Sequence, residues 1–175
     1  MAKKNEYLLI DGYNIIHAWQ SLKKIADQSL EDARKKLLEM LSDYQGYKKT
    51  EIIIVFDAHL VKGNKESVSA YDKLSVVYTK EAETADSYIE RTSKKLKKDF
   101  IVRVATSDHL EQIIILGQGA VRVSAKDLRE EVVAAKKEMR AKYIDNKPIK
   151  NNLLLDNLDK ETATLIEAMR LDRRS

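Results

Sequence analysis

Four aspartates lie at or shortly after the ends of predicted strands, and their spacing could support chemistry. They are Asp11, Asp57, Asp86 and Asp108. Ligands of open parallel sheets bind beyond the carboxyl ends of the strands, so we expect these carboxylates to converge on one edge. Converging carboxylates repel one another and need a cation, and oxygen ligands favour Mg²⁺ or Mn²⁺. Such a site suits phosphoryl chemistry, in which a divalent ion activates water and stabilises the leaving oxygen.

Each of these acids also has a purely structural interpretation. Asp11 and Asp57 are typical of turns that end strands. Asp108 suits a helix N-cap with Glu111 three residues later, and Asp86 suits the first turn of a helix. Taken singly, each acid is better explained this way, whereas four acids at successive strand ends favour a shared functional site.

The elements that must position these acids alternate between strands and helices. Apolar, largely β-branched runs predict strands at 7–10, 51–56, 74–78, 100–105 and 121–123, with a polar connection over 58–72. Apolar stripes at helical spacing, with capping residues, predict helices at 29–46, 83–98, 107–116 and 124–143. This alternation indicates an α/β fold with a mostly parallel central sheet and helices on both faces.

The length and composition indicate an ordinary globular protein. Its 175 residues predict one domain over 1–145, then a linker at 145–148 and a C-terminal tail over 146–175 whose helix at 159–171 packs on the domain. Cysteine is absent, which excludes Cys-based zinc sites, thiol nucleophiles and iron–sulfur clusters. No apolar run reaches the roughly 20 residues of a membrane span. Without a signal peptide, a cytoplasmic location is expected.

The segments around the acids resemble a known family. They read Leu9-Ile10-Asp11-Gly12-Tyr13-Asn14, Phe56-Asp57-Ala58-His59-Leu60-Val61-Lys62-Gly63, Glu83-Thr84-Ala85-Asp86, Ala105-Thr106-Ser107-Asp108 and Gly117-Gln118-Gly119-Ala120. As a set they resemble the NYN branch of the PIN-like nucleases, in particular the YacP-type, ribosome-associated endoribonucleases of Gram-positive bacteria. The resemblance spans about residues 6 to 143 and leaves the tail outside.

This resemblance implies a PIN-like domain that cuts RNA with Mg²⁺ held by Asp11, Asp86 and Asp108. Asp57 would lie nearby, and Asn14 would orient a ligand or water. The implied substrate is messenger RNA under translation, reached through the ribosomal A site. A metal-bound water would attack the phosphodiester and leave a 5′-phosphate and a 3′-hydroxyl. The chain departs from the family where PIN-like nucleases often carry a second acid, because His109 follows Asp108.

A nuclease also needs a basic surface for the RNA backbone. The excess of 32 basic over 28 acidic residues is compatible with such a partner without requiring one. The candidate RNA-binding residues, each of which is also explained by a solvated surface or by core packing, are Tyr13, Lys62, Lys65, Lys94, Lys95, Arg129, Lys136 and Arg140. The histidines His17, His59 and His109 show no catalytic spacing, so we expect surface or packing roles for them.

A rival interpretation comes from another functional class. A domain with the same PIN-like fold could bind RNA or the ribosome without cutting, and loss of the acids would favour that reading. Here all four acids are present. The expected partners are therefore messenger RNA and the ribosome, with no membrane partner. The sequence leaves the oligomeric state open, with a monomer as the expectation.

Overall fold

The structure, a computed structural model, describes residues 5–58, 67–80, 82–109, 117 and 119–156. Its strands are β1 (Glu6–Asp11), β2 (Glu51–Phe56), β3 (Ser67–Tyr71), β4 (Leu74–Tyr78), β5 (Ile101–Ala105) and β6 (Val121–Val123). Its helices are α1 (Gly12–Ala18), α2 (Gln20–Gln28), α3 (Leu30–Lys48), α4 (Ala85–Leu96) and α5 (Ala125–Asp156).

The strands form one sheet in the order β3-β4-β2-β1-β5-β6. Strand β1 pairs in parallel with β2 on one side and β5 on the other, and among the described strands only β3 is antiparallel to its neighbour. The predicted α/β fold with a mostly parallel sheet is confirmed. Because β1 lies between β2 and β5, the carboxyl ends of these three strands meet at one edge.

Helices cover both faces of the sheet. Successive side chains of β1 point to opposite faces, so Leu8 and Ile10 enter one core and Leu9 enters the other. The first core also contains Ile15 of α1, Leu37 of α3 and Leu128 of α5, whereas the second contains Ile89 of α4. This double burial explains why β1 is a continuous apolar run instead of an alternating one.

Two short helices follow β1 where the sequence predicted only a turn. The carboxylate of Asp11 accepts from the Asn14 amide and caps α1. Gly12 opens the helix, and a Cβ atom there would lie 2.3 Å from Cε1 of Phe56. The absent side chain at Gly12 therefore lets α1 pack directly on the ring at the end of β2.

The predicted polar connection at 58–72 is wrong for its last part, since β3 occupies Ser67–Tyr71. All five residues of this edge strand are exposed, so β3 lacks the buried apolar run by which the other strands were predicted. Helix α3 is capped by the Ser29 hydroxyl as predicted, and it ends at Lys48, beyond the predicted stop near Gly46.

Helix α5 begins where predicted, with the Ser124 hydroxyl accepting from the Asp127 amide at 3.0 Å. The predicted end near Tyr143 and the linker at 145–148 are wrong, because the helix continues through them to Asp156. The turn-forming composition of that stretch misled the prediction. The chain divides into two compact units, Met1–Lys136 and Lys137–Ser175, and the predicted tail helix at 159–171 lies outside the described residues.

Within the described ranges, none of the helices is long and apolar enough to cross a membrane.

Candidate active site

Asp11 ends the central strand and is the most enclosed of the four predicted acids. Only 5% of it is exposed. The Asn14 side-chain amide donates to Oδ2 of Asp11 at 2.9 Å, and the Asn14 backbone amide donates to Oδ1 at 3.4 Å. The strand end and the first turn of α1 thus hold this carboxylate in one orientation.

Asp86 lies beside Asp11 although the two are far apart in sequence. It occupies the first turn of α4, where the Thr84 hydroxyl caps the helix by accepting from the Ser87 amide at 3.2 Å. Burial raises the pKa of Asp11 to about 6; the hydrogen bonds from Asn14 oppose the rise, and the charge and hydrogen bond of Asp86 add to it. These two carboxylates are close enough to interact directly.

Asp57 follows β2, the neighbour of β1, and is half-buried. Its turn is held by Thr79, whose backbone amide donates to the Phe56 carbonyl at 3.1 Å and whose hydroxyl accepts from the Ala58 amide at 3.2 Å. The Asp57 charge also contributes to the raised pKa of Tyr13, after the larger effect of burial. Asp57 is therefore near Tyr13 on the wall of the site.

These acids surround a cavity of about 420 Å³ at the carboxyl edge of the sheet. The lining residues are Asp11, Tyr13, Asn14, His17, Asp57, Thr84, Ala85 and Asp86. Three of the four predicted acids and Asn14 thus come together. His17 was expected to have a surface or packing role and was missed; its position three residues after Asn14, on the same face of α1, was the available signal.

Asp108 is placed next to this group without lining the cavity. Its backbone amide donates to the Thr106 hydroxyl at 3.1 Å, and it is half-buried. The hydroxyl of Ser107, one residue earlier, donates to the Asn14 side-chain oxygen. The loop after β5 therefore contacts the site through Ser107. No group of three or more acidic, His or Cys side chains in the described part of the chain is arranged to hold a metal ion.

The donor chemistry of Asp11 and Asp86 nevertheless fits a divalent cation. Mg²⁺ in phosphoryl-transfer sites commonly uses one or two protein carboxylates and completes its shell with water and substrate phosphates. The raised pKa of Asp11 shows that a negative charge is costly here, mainly because the carboxylate is buried and to a smaller extent because Asp86 is close. A bound cation would remove that cost by neutralising both carboxylates.

The predicted RNA-binding residues have different surroundings. Tyr13 is only 6% exposed, with its ring packed edge-on against Phe56 and its hydroxyl accepting from Arg34 at 2.9 Å, so it is placed as a core residue whose edge reaches the cavity. Lys94 and Lys95 are exposed on α4. Arg129, Lys136 and Arg140 are exposed on α5, whereas Lys62 and Lys65 lie outside the described residues.

The fold and the site define an α/β domain with an acid-lined cavity at the carboxyl edge of a mostly parallel sheet. The model of the YacP-like NYN domain family matches residues 8–171, and the chain belongs to this family. The match extends into the C-terminal tail, which corrects the expectation that the resemblance stops near residue 143.

The relatives found come from Bacillus subtilis. Protein YacP of strain 168 is 45% identical over 128 residues, which is 73% of this chain and 75% of that protein. The crystal structure of Rae1 (YacP) from this organism covers 94% of both chains at 39% identity, with a TM-score of 0.69. The crystal structure of a mutant of the same Rae1 protein gives the same TM-score at 36% identity and covers 94% of this chain and 99% of that one. The fold is therefore the PIN-like NYN fold.

Proposed function

We propose that this protein is a Mg²⁺- or Mn²⁺-dependent endoribonuclease that cleaves messenger RNA in association with translating ribosomes, in the A site. The observation that supports this most strongly is the convergence of Asp11, Asp57 and Asp86 on one cavity in a domain of the YacP-like NYN family. An acid-lined cavity at this edge suits a metal ion and a phosphodiester.

Each side chain of the site has a role in this proposal. Asp11 and Asp86 hold the divalent cation, which when bound activates water and stabilises charge on the scissile phosphate. Asn14 is fixed between Asp11 and Ser107 by two hydrogen bonds, so its amide keeps one orientation and positions Asp11. Asp57 lines the same cavity and would accept a proton from water. Asp108, in the loop after β5, would be a further carboxylate ligand of the cation.

The ribosome and the A site enter this proposal through the resemblance to the YacP-type endoribonucleases. A domain that acts on translated messenger RNA works where translation occurs, so the cytoplasm is the proposed location. The protein contains exposed basic side chains on α4 and α5 that could contact RNA or the ribosome. These surfaces support the proposed partners without identifying them.

The test is to map RNA ends in a translation reaction that contains Mg²⁺ and the purified protein. Wild-type protein is compared with Asp11→Asn and Asp86→Asn, with a translation inhibitor as a further arm. Asp27→Asn is the matched control, because it makes the same charge change at an exposed position on α2. The expected result is new 5′ ends that require both site acids and active translation.

Other outcomes separate the rival functions. Ends that persist when translation is blocked would keep the nuclease and remove the ribosome from its mechanism. Binding to ribosomes without any new ends would favour the noncatalytic RNA- or ribosome-binding module. Ends that are unchanged in Asp11→Asn and Asp86→Asn would contradict the assigned site.

A further inference from the structure

Helix α4 presents a row of cations on the face that points away from the sheet. The residues of this face, here called the α4 stripe, line a shallow groove of about 490 Å³; they are the cations Arg91, Lys94, Lys95 and Lys98 together with Ser87 and Glu90. These positions follow the i, i+3, i+4, i+7, i+8, i+11 spacing that places residues on one helix face. The opposite face buries Ala85, Ile89 and Ser93 against the domain.

The stripe begins at the candidate active site. Thr84 lines the acid cavity, and its hydroxyl donates to the Ser87 hydroxyl at 3.0 Å. Asp86, the neighbour of Ser87, faces the same cavity. From Ser87 to Lys95 the chain rises about 12 Å at the helical repeat, and Lys98 follows just after the helix ends at Leu96, so the stripe leads away from the cavity along the helix.

The cations of the stripe can exchange their present partners for phosphates. Lys94 lies 3.3 Å from Glu90, and both side chains are largely exposed, so water screens this ion pair and it contributes little. The Arg91 guanidinium donates to Glu83 at 2.8 Å and lies over the Tyr88 ring at 5.1 Å, which holds it at the middle of the stripe.

Helix-dipole stabilisation explains only part of this arrangement. It favours cations in the last turn, where Lys94 and Lys95 lie. It does not require that they share one face, and it does not explain Arg91 at the middle of the helix. An RNA backbone requires both features, since its charges repeat along a line.

We propose that the α4 stripe binds the backbone phosphates of a single-stranded RNA segment that flanks the bond positioned in the acid cavity. This inference rests on the proposed function for the location of the cleaved bond. The inference adds the path along which the RNA leaves the acid cavity. Lys95 and Lys98 contact the RNA at the end of the α4 stripe that is farthest from the cavity.

The test measures the affinity of a fluorescein-labelled single-stranded RNA of about 12 nucleotides, within the range that such surfaces cover. Anisotropy titrations are made in EDTA, which prevents cleavage, at several salt concentrations. The variant is Lys95→Gln/Lys98→Gln. The matched control is Lys35→Gln/Lys36→Gln on α3, which removes two exposed lysines elsewhere.

Loss of two phosphate contacts should weaken binding about tenfold and reduce the slope of log K against log[salt] by about 1.4, or 0.7 for each contact. The control should retain the wild-type slope, and Lys95→Arg/Lys98→Arg should restore it. A general structural defect would not alter the salt slope in this charge-dependent way.

An unchanged slope in Lys95→Gln/Lys98→Gln, or an equal loss in the α3 control, would overturn the assignment of the stripe. Wild-type protein that binds a ribosomal protein surface instead of RNA through these lysines would also overturn it. If cleavage still depends on Asp11 while the stripe variants bind RNA normally, the α4 stripe is not the RNA-binding surface but the proposed nuclease site is retained. If the stripe variants lose RNA binding but Asp11→Asn cuts RNA normally, the proposed nuclease site is wrong and the assignment of the α4 stripe is retained.

Discussion

Replacing the most enclosed acid of the site should make the folded protein more stable. The pKa of Asp11 rises from 3.8 to about 6 on folding, mainly because the carboxylate is buried. A difference of about two pKa units corresponds to about 3 kcal/mol of destabilisation once the group is ionised in both states. Asp11→Asn removes this charge while keeping the shape of the side chain.

Part of that gain is lost with the hydrogen bonds of the carboxylate. The Asn14 side chain can still donate to an amide oxygen at position 11, and asparagine caps helices as well as aspartate does. The longer bond from the Asn14 backbone amide, at 3.4 Å, is the one most readily lost, which costs about 1 kcal/mol. We therefore expect a net gain of about 1 to 2 kcal/mol, or a Tm higher by about 2 to 8 °C.

The sign of the pH dependence follows from the direction of the shift. Well below pH 3.8 the Asp11 carboxyl is protonated in both the folded and the unfolded state, so its burial does not lower the stability of the wild-type protein there. The loss of stability grows as the pH rises from 3.8 to the folded-state pKa of about 6, and it is complete above that value. Urea unfolding followed by circular dichroism, in EDTA at about pH 4 and above pH 7, should show a clearly larger gain at the higher pH than at pH 4.

Two results would contradict the predicted stability gain of Asp11→Asn. One is an Asp11→Asn variant that is less stable than the wild-type protein above pH 7. The other is a gain of the same size at both pH values. The exposed-site control Asp27→Asn should change stability by less than about 0.5 kcal/mol.

Three further predictions concern packing, the cavity and the ion-pair network. Gly12→Ala should cost about 1 to 3 kcal/mol in urea unfolding, because its Cβ would meet the Phe56 ring at 2.3 Å, and Phe56→Leu should recover part of that loss. His17→Ala should lower the rate of RNA cleavage about tenfold with unchanged unfolding, since this exposed side chain lines the cavity and its ring nitrogens can hydrogen-bond a phosphate or water there; an unchanged rate would remove it from the site. Arg103→Met should cost about 1 to 2 kcal/mol in the same unfolding assay, because it removes the guanidinium that lies 2.5 Å from Glu131, a carboxylate that is one third exposed and therefore partly screened by water; an unchanged stability would show that water and Tyr44 compensate fully.

The parts of the fold that were predicted correctly have strong local signals. Strands β1 and β2 are continuous apolar runs, and α3 has both a capping serine and a clear apolar stripe. The missed parts lack such signals. Helix α1 is only seven residues long, and β3 is an exposed edge strand. The 145–148 segment has the composition of a turn but continues a helix, so the local preference was overridden there.

The site could be predicted in part because strand order follows from a few topological rules. Asp11 and Asp57 end neighbouring parallel strands, and their approach was foreseeable from the alternation of elements. The contact of Asp86 with Asp11 also depends on how α4 packs, which no local pattern specifies. The same holds for Asp108, whose loop reaches the site through Ser107.

Measuring the stability and the RNA cleavage of Asp11→Asn in the same preparation tests whether the acid cavity is the active site. We expect a protein that is more stable than the wild type above pH 7, still binds ribosomes, and forms no new RNA 5′ ends in a Mg²⁺-containing translation reaction. A variant that cuts at the wild-type rate would contradict the assignment of the acid cavity as the active site.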